Sequence, residues 1–213
     1  MSKISLIHHG FDLDKFQDVD TSKISSLKTK YQIEGKFPVI GVISRYIEWK
    51  GHKYIIDAFI ELLKSYPKAK LILANTNGPF KEDIKKKLQS VPVDNYIEIS
   101  FEPDLYSLYQ LFDVFVHTPI DAEIEAFGQI YIEALASGIP SVFTLSGIAR
   151  EFIKDKENAI VVDFKNEKQI HDGIILILKD QSLRERIALN GLNSLDQFRL
   201  DLFIQNLKHL YIE

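Results

Sequence analysis

The sequence predicts an α/β domain built on a doubly wound sheet of six parallel strands. Three observations support this: short apolar runs rich in β-branched residues recur after Pro38, a segment with helical spacing follows each run, and turn residues separate the two. Continuous apolar runs are typical of strands buried on both faces. Because right-handed crossovers join such strands, helices cover both faces of the sheet, which is the Rossmann-like arrangement.

The strands are predicted from their apolar cores and from the turn residues that bound them. The first is Val39-Ile40-Gly41-Val42-Ile43-Ser44, and the turn residues Asn77-Gly78-Pro79 follow the second. In chain order the six strands are expected at residues 39–44, 70–75, 96–101, 113–117, 141–144 and 159–163.

The helices are predicted where apolar residues recur three and four positions apart. The first helix after the opening strand carries Ile55, Phe59 and Leu62 at this spacing, and Pro67 ends it. Helices are expected at residues 52–66, 80–91, 104–112, 128–137 and 147–154, and further helical stretches begin at Glu167, Leu183 and Leu200.

The start of the chain lacks this alternation. Residues 1–37 are expected to form an arm packed against the domain, which spans residues 38–213 and includes the C-terminal helices. The arm contains a polar, charged stretch, and a short helix is expected from Thr21 to Tyr31. The N-terminus is too short and too polar for a signal peptide.

Composition excludes several classes of function. The 26 Lys and Arg residues are outnumbered by 30 Asp and Glu, so the net charge of −4 predicts no nucleic-acid partner. Cysteine is absent, which excludes disulfides, thiolate nucleophiles and Cys-based zinc sites. No apolar run approaches the roughly 18 residues of a membrane span. We expect a cytoplasmic protein.

Short motifs for metals and cofactors are also missing. The six His residues show no metal-ligand spacing, and two Asp-x-Asp patterns, at residues 12–14 and 18–20, lie in the arm as solvated charge. Neither a dinucleotide fingerprint, a P-loop nor a nucleophile elbow occurs. The sequence therefore predicts no metal site and no cofactor.

Ligands of doubly wound sheets bind outside the carboxyl ends of the strands. This rule selects the candidate segments before any motif is considered. They are residues 44–51, 75–79, 101–104, 117–128 and 144–147.

Two cations lie in the loop after the first strand. Arg45 offers a planar donor fork and Lys50 a point charge, and together they suit a diphosphate. Two solvated cations before a helix-start glycine explain the same spacing, and the spacing alone favours that interpretation.

A second candidate site lies at the helix start after the fourth strand. Gly128 is expected there, where free backbone amides and the positive helix end favour an anion. Glu125 precedes the helix, and Glu133 lies inside it among apolar residues, where sugar or ribose hydroxyls would satisfy a buried carboxylate. Alternatively, Glu125 complements the helix dipole and Glu133 is a partly exposed helix residue. The two interpretations stay open at this point.

Four segments together resemble one family in order along the chain. Glu125 and Glu133 form E-x7-E, Phe127-Gly128 forms F-G, and residues 133–140 read E-A-x-A-x-G-x-P. With residues 37–51, 78–79 and 144–151, they resemble the C-terminal domain of GT-B glycosyltransferases, more narrowly glycosyltransferase family 4, or group 1. His9-Gly10-Phe11-Asp12 is similar to the family's interdomain linker.

The resemblance implies a retaining transferase that moves a hexose-type sugar from a nucleotide sugar to a glycan, lipid or small-molecule acceptor. It implies no metal and no cofactor. It also implies that the acceptor domain is missing, so that the acceptor, and any peripheral membrane association, would come through that domain. The chain alone is then expected to be inactive.

The resemblance also assigns roles to residues. Arg45 and Lys50 would hold the diphosphate and stabilise its departure, Glu133 would bind the ribose, and Glu125 would face the transferred sugar. The candidate catalytic residues are therefore Glu125, Arg45 and Lys50. Backbone amides around Phe127, Gly128 and Gln129 would assist in donor binding.

Two departures from the family pattern affect the prediction of the nucleotide base, and two alternatives to a transferase also stay open. Ser44 and Phe101 stand where glycine is usual, and the second of these positions helps to frame the base, so the base is not predicted. One alternative is a stand-alone module that binds nucleotide sugars or a partner without catalysis. Another is a fragment of a GT-B nucleotide-sugar 2-epimerase.

Overall fold

Six parallel strands form one sheet in the computed structural model, which describes residues 6–212. All neighbouring strands in this part of the chain pair in parallel, in the order β3-β2-β1-β4-β5-β6. The strands are β1 Val39–Ile43, β2 Lys70–Ala74, β3 Tyr96–Ile99, β4 Val114–His117, β5 Ser141–Phe143 and β6 Ile160–Val161. The predicted fold class is confirmed.

Helices cover both faces of the sheet, as the alternating pattern predicts. Those of the described residues are α1 Thr21–Lys30, α2 His52–Ser65, α3 Lys81–Leu88, α4 Leu105–Tyr109, α5 Gln129–Ala136, α6 Ala149–Phe152, α7 Glu167–Lys179, α8 Gln181–Asn193 and α9 Leu200–Ile212. Among residues 6–212, no helix is long and apolar enough to cross a membrane.

The core lies in two layers because successive strand side chains point to opposite faces. In β4, Val114 and Val116 pack into one cluster, and Phe115, which lies between them, packs into the other. The same alternation in β1 sends Ile40 and Val42 to the first cluster. Each strand therefore contributes to both layers, which explains its continuous apolar run.

The N-terminal segment packs against this domain. Phe16, Leu27 and Tyr31 are buried in the same cluster as Phe115. The backbone N–H of Phe11 donates to Phe198 O at 2.8 Å, which ties the segment to the chain before α9. The division into a linker of residues 1–37 and a domain of residues 38–213 stays a prediction, and residues 1–5 and 213 lie outside the described part.

The strand order places β1 beside β4, where the chain reverses its direction of winding. Ile40 pairs with Val114 and Gly41 with Phe115 across this junction. In doubly wound sheets the ligand crevice opens at such a switch point, at the carboxyl ends of the strands. The loops after β1 and β4 therefore border the candidate site.

Candidate functional site

The loops that follow β1 and β4 are locked together by close backbone contact. Ile120 N–H donates to Trp49 O at 3.0 Å. Gly51 has a φ of 77°, and a Cβ at this position would lie 2.1 Å from Thr118 O. Only glycine fits this approach, because a side chain would collide with the neighbouring backbone. The contact brings Lys50, which ends a 3-10 turn before Gly51, to the end of β4.

Three side chains from separate segments meet there. Lys50 Nζ lies 2.5 Å from Glu125 Oε1, and His117 Nε2 lies 2.8 Å from the same oxygen. The side chains are 19% exposed for Lys50, 10% for Glu125 and 1% for His117. The charges are therefore largely removed from water, and each depends on its partners for stabilisation.

These contacts set the protonation of Glu125. Burial alone raises the pKa of Glu125, but the hydrogen bond from His117 and the contact with Lys50 outweigh it and hold the pKa at about 2. Burial lowers the pKa of His117, which opposes the effect of Glu125. Because an ionised carboxylate only accepts hydrogen bonds, we infer that neutral His117 donates from Nε2–H. Its Nδ1 is buried without a partner among the described residues.

The backbone around Glu125 is fixed by the loop after β5. Glu125 N–H donates to Ser146 Oγ at 3.1 Å, and Ser146 Oγ donates to Ala122 O at 3.1 Å. Gly147 has a φ of 57°, and a Cβ there would lie 2.7 Å from both Glu125 O and Phe127 O. The site is therefore assembled from the loops after β1, β4 and β5.

The start of α5 is open for an anion. Gly128 is the N-cap with a φ of 93°, and it provides no side-chain capping bond. Tyr131 N–H donates to Gly128 O at 3.1 Å, so the amides of Gln129 and Ile130 are the ones in the first turn that rely on solvent or a ligand. Gln129 is exposed in this turn. The ring of Phe127 instead packs on the N-terminal segment, with centroids 5.4 Å from His9 and 6.3 Å from Phe11.

Glu133 lies inside α5 and is separate from the Lys50 cluster. It accepts a hydrogen bond from Tyr109 Oη at 2.9 Å, and Tyr109 is fully buried. Burial raises the pKa of Glu133, and this single donor only partly opposes it. Its carboxylate thus has capacity for further donors such as hydroxyl groups.

Arg45 does not join either carboxylate. It is exposed in the loop after β1 and makes none of the ion pairs formed by the described side chains. The structure therefore brings Lys50 and Glu125 together, leaves Arg45 in solvent and places Glu133 farther along α5. Phe101 is 77% exposed beyond the end of β3.

Sequence reasoning missed several residues of the site. His117, Ser146 and Tyr109 each contact a predicted carboxylate or its backbone. His117 and Ser146 lie in the candidate segments 117–128 and 144–147 but received no role there, and Tyr109 lies in none of the candidate segments. His117 could have been found from position alone, because it is the last residue of a buried strand at the ligand edge. Ser146 carries a similar positional signal in the loop after β5, whereas Tyr109 carries none.

Comparison with known families identifies the chain. Residues 23–194 match the family described as "Glycosyl transferases group 1". The chain belongs to this family. The predicted recognition is thus confirmed.

Individual group 1 relatives show how much of such a protein the chain represents. It is 25% identical over 218 residues to alpha-monoglucosyldiacylglycerol synthase of Acholeplasma laidlawii, covering 99% of this chain and 53% of that protein. It is 26% identical over 198 residues to mannosylfructose-phosphate synthase of Agrobacterium fabrum, covering 88% of this chain and 42% of that one. The chain spans about half the length of these curated relatives.

A solved structure of similar fold comes from Anabaena. HepE, in complex with UDP and glucose, superposes with a TM-score of 0.87 at 22% identity, covering 98% of this chain and 56% of HepE. This likeness shows the fold, which is that of the C-terminal Rossmann-like domain of GT-B proteins.

Proposed function

We propose that this chain is the donor-binding half of a retaining glycosyltransferase. It would bind a nucleoside diphosphate sugar, from which a hexose-type sugar is transferred to a glycan, lipid or small-molecule acceptor. The observation that carries the proposal is the contact of Lys50 and His117 with Glu125 beside the open start of α5. A cation, a carboxylate and free amides converge at the switch point of the sheet.

The chemistry of a nucleotide sugar fits this arrangement. Departure of the nucleoside diphosphate leaves negative charge on its phosphates, and fixed cations and amides lower the barrier by stabilising that charge. Lys50 and the amides of residues 127–129 are placed for this role, and Arg45 is free to reach a ligand from the loop. No metal is needed for the proposed step, because these groups supply the positive charge.

The two carboxylates have different tasks in this proposal. Glu125 is ionised and faces the transferred sugar, whose hydroxyls donate to it. Glu133 accepts from Tyr109 and has room for the hydroxyls of the ribose. The acceptor and the opposite wall of the cleft would come from a second domain, as in the family's two-domain enzymes.

Calorimetry with UDP tests the donor half directly. UDP is chosen because the Anabaena neighbour was solved in complex with UDP and with UDP-glucose. GDP and ADP are titrated in parallel because the nucleotide base is not predicted. We expect binding that persists with a divalent-metal chelator present. Lys50→Ala should weaken it by about tenfold or more, since a hydrogen bond to a charged group contributes about 1.5–3 kcal/mol.

A matched control separates this site from general charge effects. Lys64 lies near the end of α2 and pairs with Glu61 on the surface. Lys64→Ala should leave nucleotide affinity unchanged. Absence of binding to UDP, GDP and ADP at millimolar concentration would contradict the proposal and favour a non-catalytic module that binds a partner chain.

A turnover assay tests the half-enzyme interpretation. Catalysis gains most from holding two reactants together and excluding water, and one wall of a cleft provides neither. We expect this chain alone to release no sugar from UDP-glucose or GDP-mannose with mixed acceptors present. Sustained transfer by the chain alone would overturn the requirement for a second domain.

A further inference from the structure

One oxygen of Glu125 accepts hydrogen bonds from both Lys50 and His117. These two donors differ in conformational freedom. The ammonium of Lys50 lies at the end of a flexible side chain on a loop, whereas His117 is the last residue of β4 and its side chain is 1% exposed. The His117 ring also packs edge-on against Tyr131, with centroids 5.1 Å apart. A ligand at the sheet edge can therefore displace Lys50 and leave His117 in place.

A bound diphosphate changes the partner of Lys50. Under the proposed function the ammonium contacts the phosphates, and the phosphates bring negative charge close to Glu125. The two anions repel each other and compete for one cation. The interaction of Lys50 with Glu125 Oε1 is then weaker than in the unliganded site, where Lys50 Nζ lies 2.5 Å from this oxygen.

We propose that His117 is the positioning residue of the donor site: its Nε2–H keeps the Glu125 carboxylate oriented toward the sugar while Lys50 binds the diphosphate. This inference rests on the proposed function. The contact from His117 is independent of the ligand, because its ring is enclosed and its backbone belongs to the sheet. A neutral imidazole gives one directed hydrogen bond and leaves the site's positive charge to Lys50.

The test compares a nucleotide sugar with the nucleotide alone. Affinities of the chain are measured by calorimetry for UDP-glucose against UDP and for GDP-mannose against GDP, and the pair that shows a preference for the sugar is used. His117→Leu removes the donor. We expect it to bind the nucleotide as the wild type does and to lose the preference for the nucleotide sugar.

Conservative and remote variants separate positioning from folding. In His117→Gln the side-chain amide reaches the position of Nε2, so this variant should recover the preference. His171 is a partly exposed histidine on α7 that contacts Asp172, and His171→Leu should match the wild type. A structural role alone would weaken nucleotide and nucleotide sugar together.

The outcomes distinguish the two proposals. If the wild type binds none of the four ligands and does not bind ADP either, the proposed function fails and the inference fails with it. If nucleotides bind without a preference for the sugar, or if His117→Leu keeps the preference, only the inference is overturned.

A second measurement does not depend on the folding of His117→Leu. Nitrogen NMR of the ¹⁵N-histidine-labelled wild type, with His117 assigned from the missing signal in His117→Gln, reports its tautomer. We expect the neutral Nε2–H form both without ligand and at saturation with the nucleotide that binds. Loss of that form on saturation would contradict the inference.

Discussion

Glu125 and Glu133 flank the start of α5, yet their surroundings drive their protonation in opposite directions. Burial raises the pKa of both, and only at Glu125 do His117 and Lys50 overcome it, to about 2. At Glu133 the hydrogen bond from neutral Tyr109 is insufficient, and the pKa stays above its usual value. The difference shows that charged and directed partners, rather than burial alone, decide the direction in which the pKa of each carboxyl shifts.

The largest effect on stability is expected from removing Lys50, the cation that contacts Glu125 and does not contact Glu133. Lys50→Ala leaves Glu125 buried with only His117, and removing one partner of a buried pair costs about 3 kcal/mol. The free energy of unfolding, measured in urea at pH 7, should fall by that order. The double variant Lys50→Met with Glu125→Gln should recover most of the loss, and a loss as large as in Lys50→Ala would contradict the pairing.

Neutral variants of the two glutamates should change stability in opposite directions. Glu125→Gln is expected to lower the free energy of unfolding by about 2 kcal/mol at pH 7, because two charge-assisted hydrogen bonds lose their charge. Glu133→Gln is expected to raise it, because a group whose folded pKa is raised stabilises the fold below its unfolded pKa of about 4.5 and loses that contribution as pH rises.

The pH dependence of this pair sharpens the comparison. The advantage of Glu133→Gln should vanish near pH 4, where the wild-type carboxyl is protonated. The cost of Glu125→Gln should shrink as pH falls below the usual value of 4.5 toward the folded value of about 2. Chemical denaturation of each variant across this range is the measurement, and equal signs for both variants would refute the assignment.

A buried histidine beneath the site predicts a further dependence on acid. Burial lowers the pKa of His52 from 6.5 to about 3, and its Nε2 lies 3.0 Å from Ser44 Oγ. Since the unfolded chain binds the proton first, stability falls as pH falls from 6.5, by about 1.4 kcal/mol per pH unit for one such group. In His52→Gln the slope between pH 6 and 5, measured by urea denaturation, should be smaller by that amount. An unchanged slope would show that His52 does not resist protonation.

The smallest effect on stability is expected at Arg45. Its side chain is exposed and pairs with neither glutamate, so Arg45→Ala should leave the free energy of unfolding within experimental error. Nucleotide affinity should nevertheless fall by about tenfold, as for a charge-assisted contact to phosphate. Calorimetry with an intact fold and unchanged affinity would remove Arg45 from the donor site.

Local sequence patterns predicted every strand of the described sheet to within a few residues. Apolar runs and turn residues are sufficient for this, because a strand buried on both faces requires them wherever it lies in the chain. Helix ends were less accurate: α8 begins at Gln181 rather than Leu183, because the side chain of Asp180 accepts from Leu183 N–H at 2.9 Å and caps the helix. Periodicity alone does not detect such a cap.

The sequence by itself determined the sheet, the loops at its carboxyl edge and the residue types that can meet a diphosphate. Only the tertiary structure decided which of these side chains form ion pairs and hydrogen bonds with one another. Lys50, His117 and Glu125 come from different segments, and they meet because β1 pairs with β4 and Gly51 lets the loops touch. The protonation state of Glu125 follows from these contacts. It depends on the distances between segments that are remote in the chain and on how deeply the groups are buried, and no local sequence pattern encodes either.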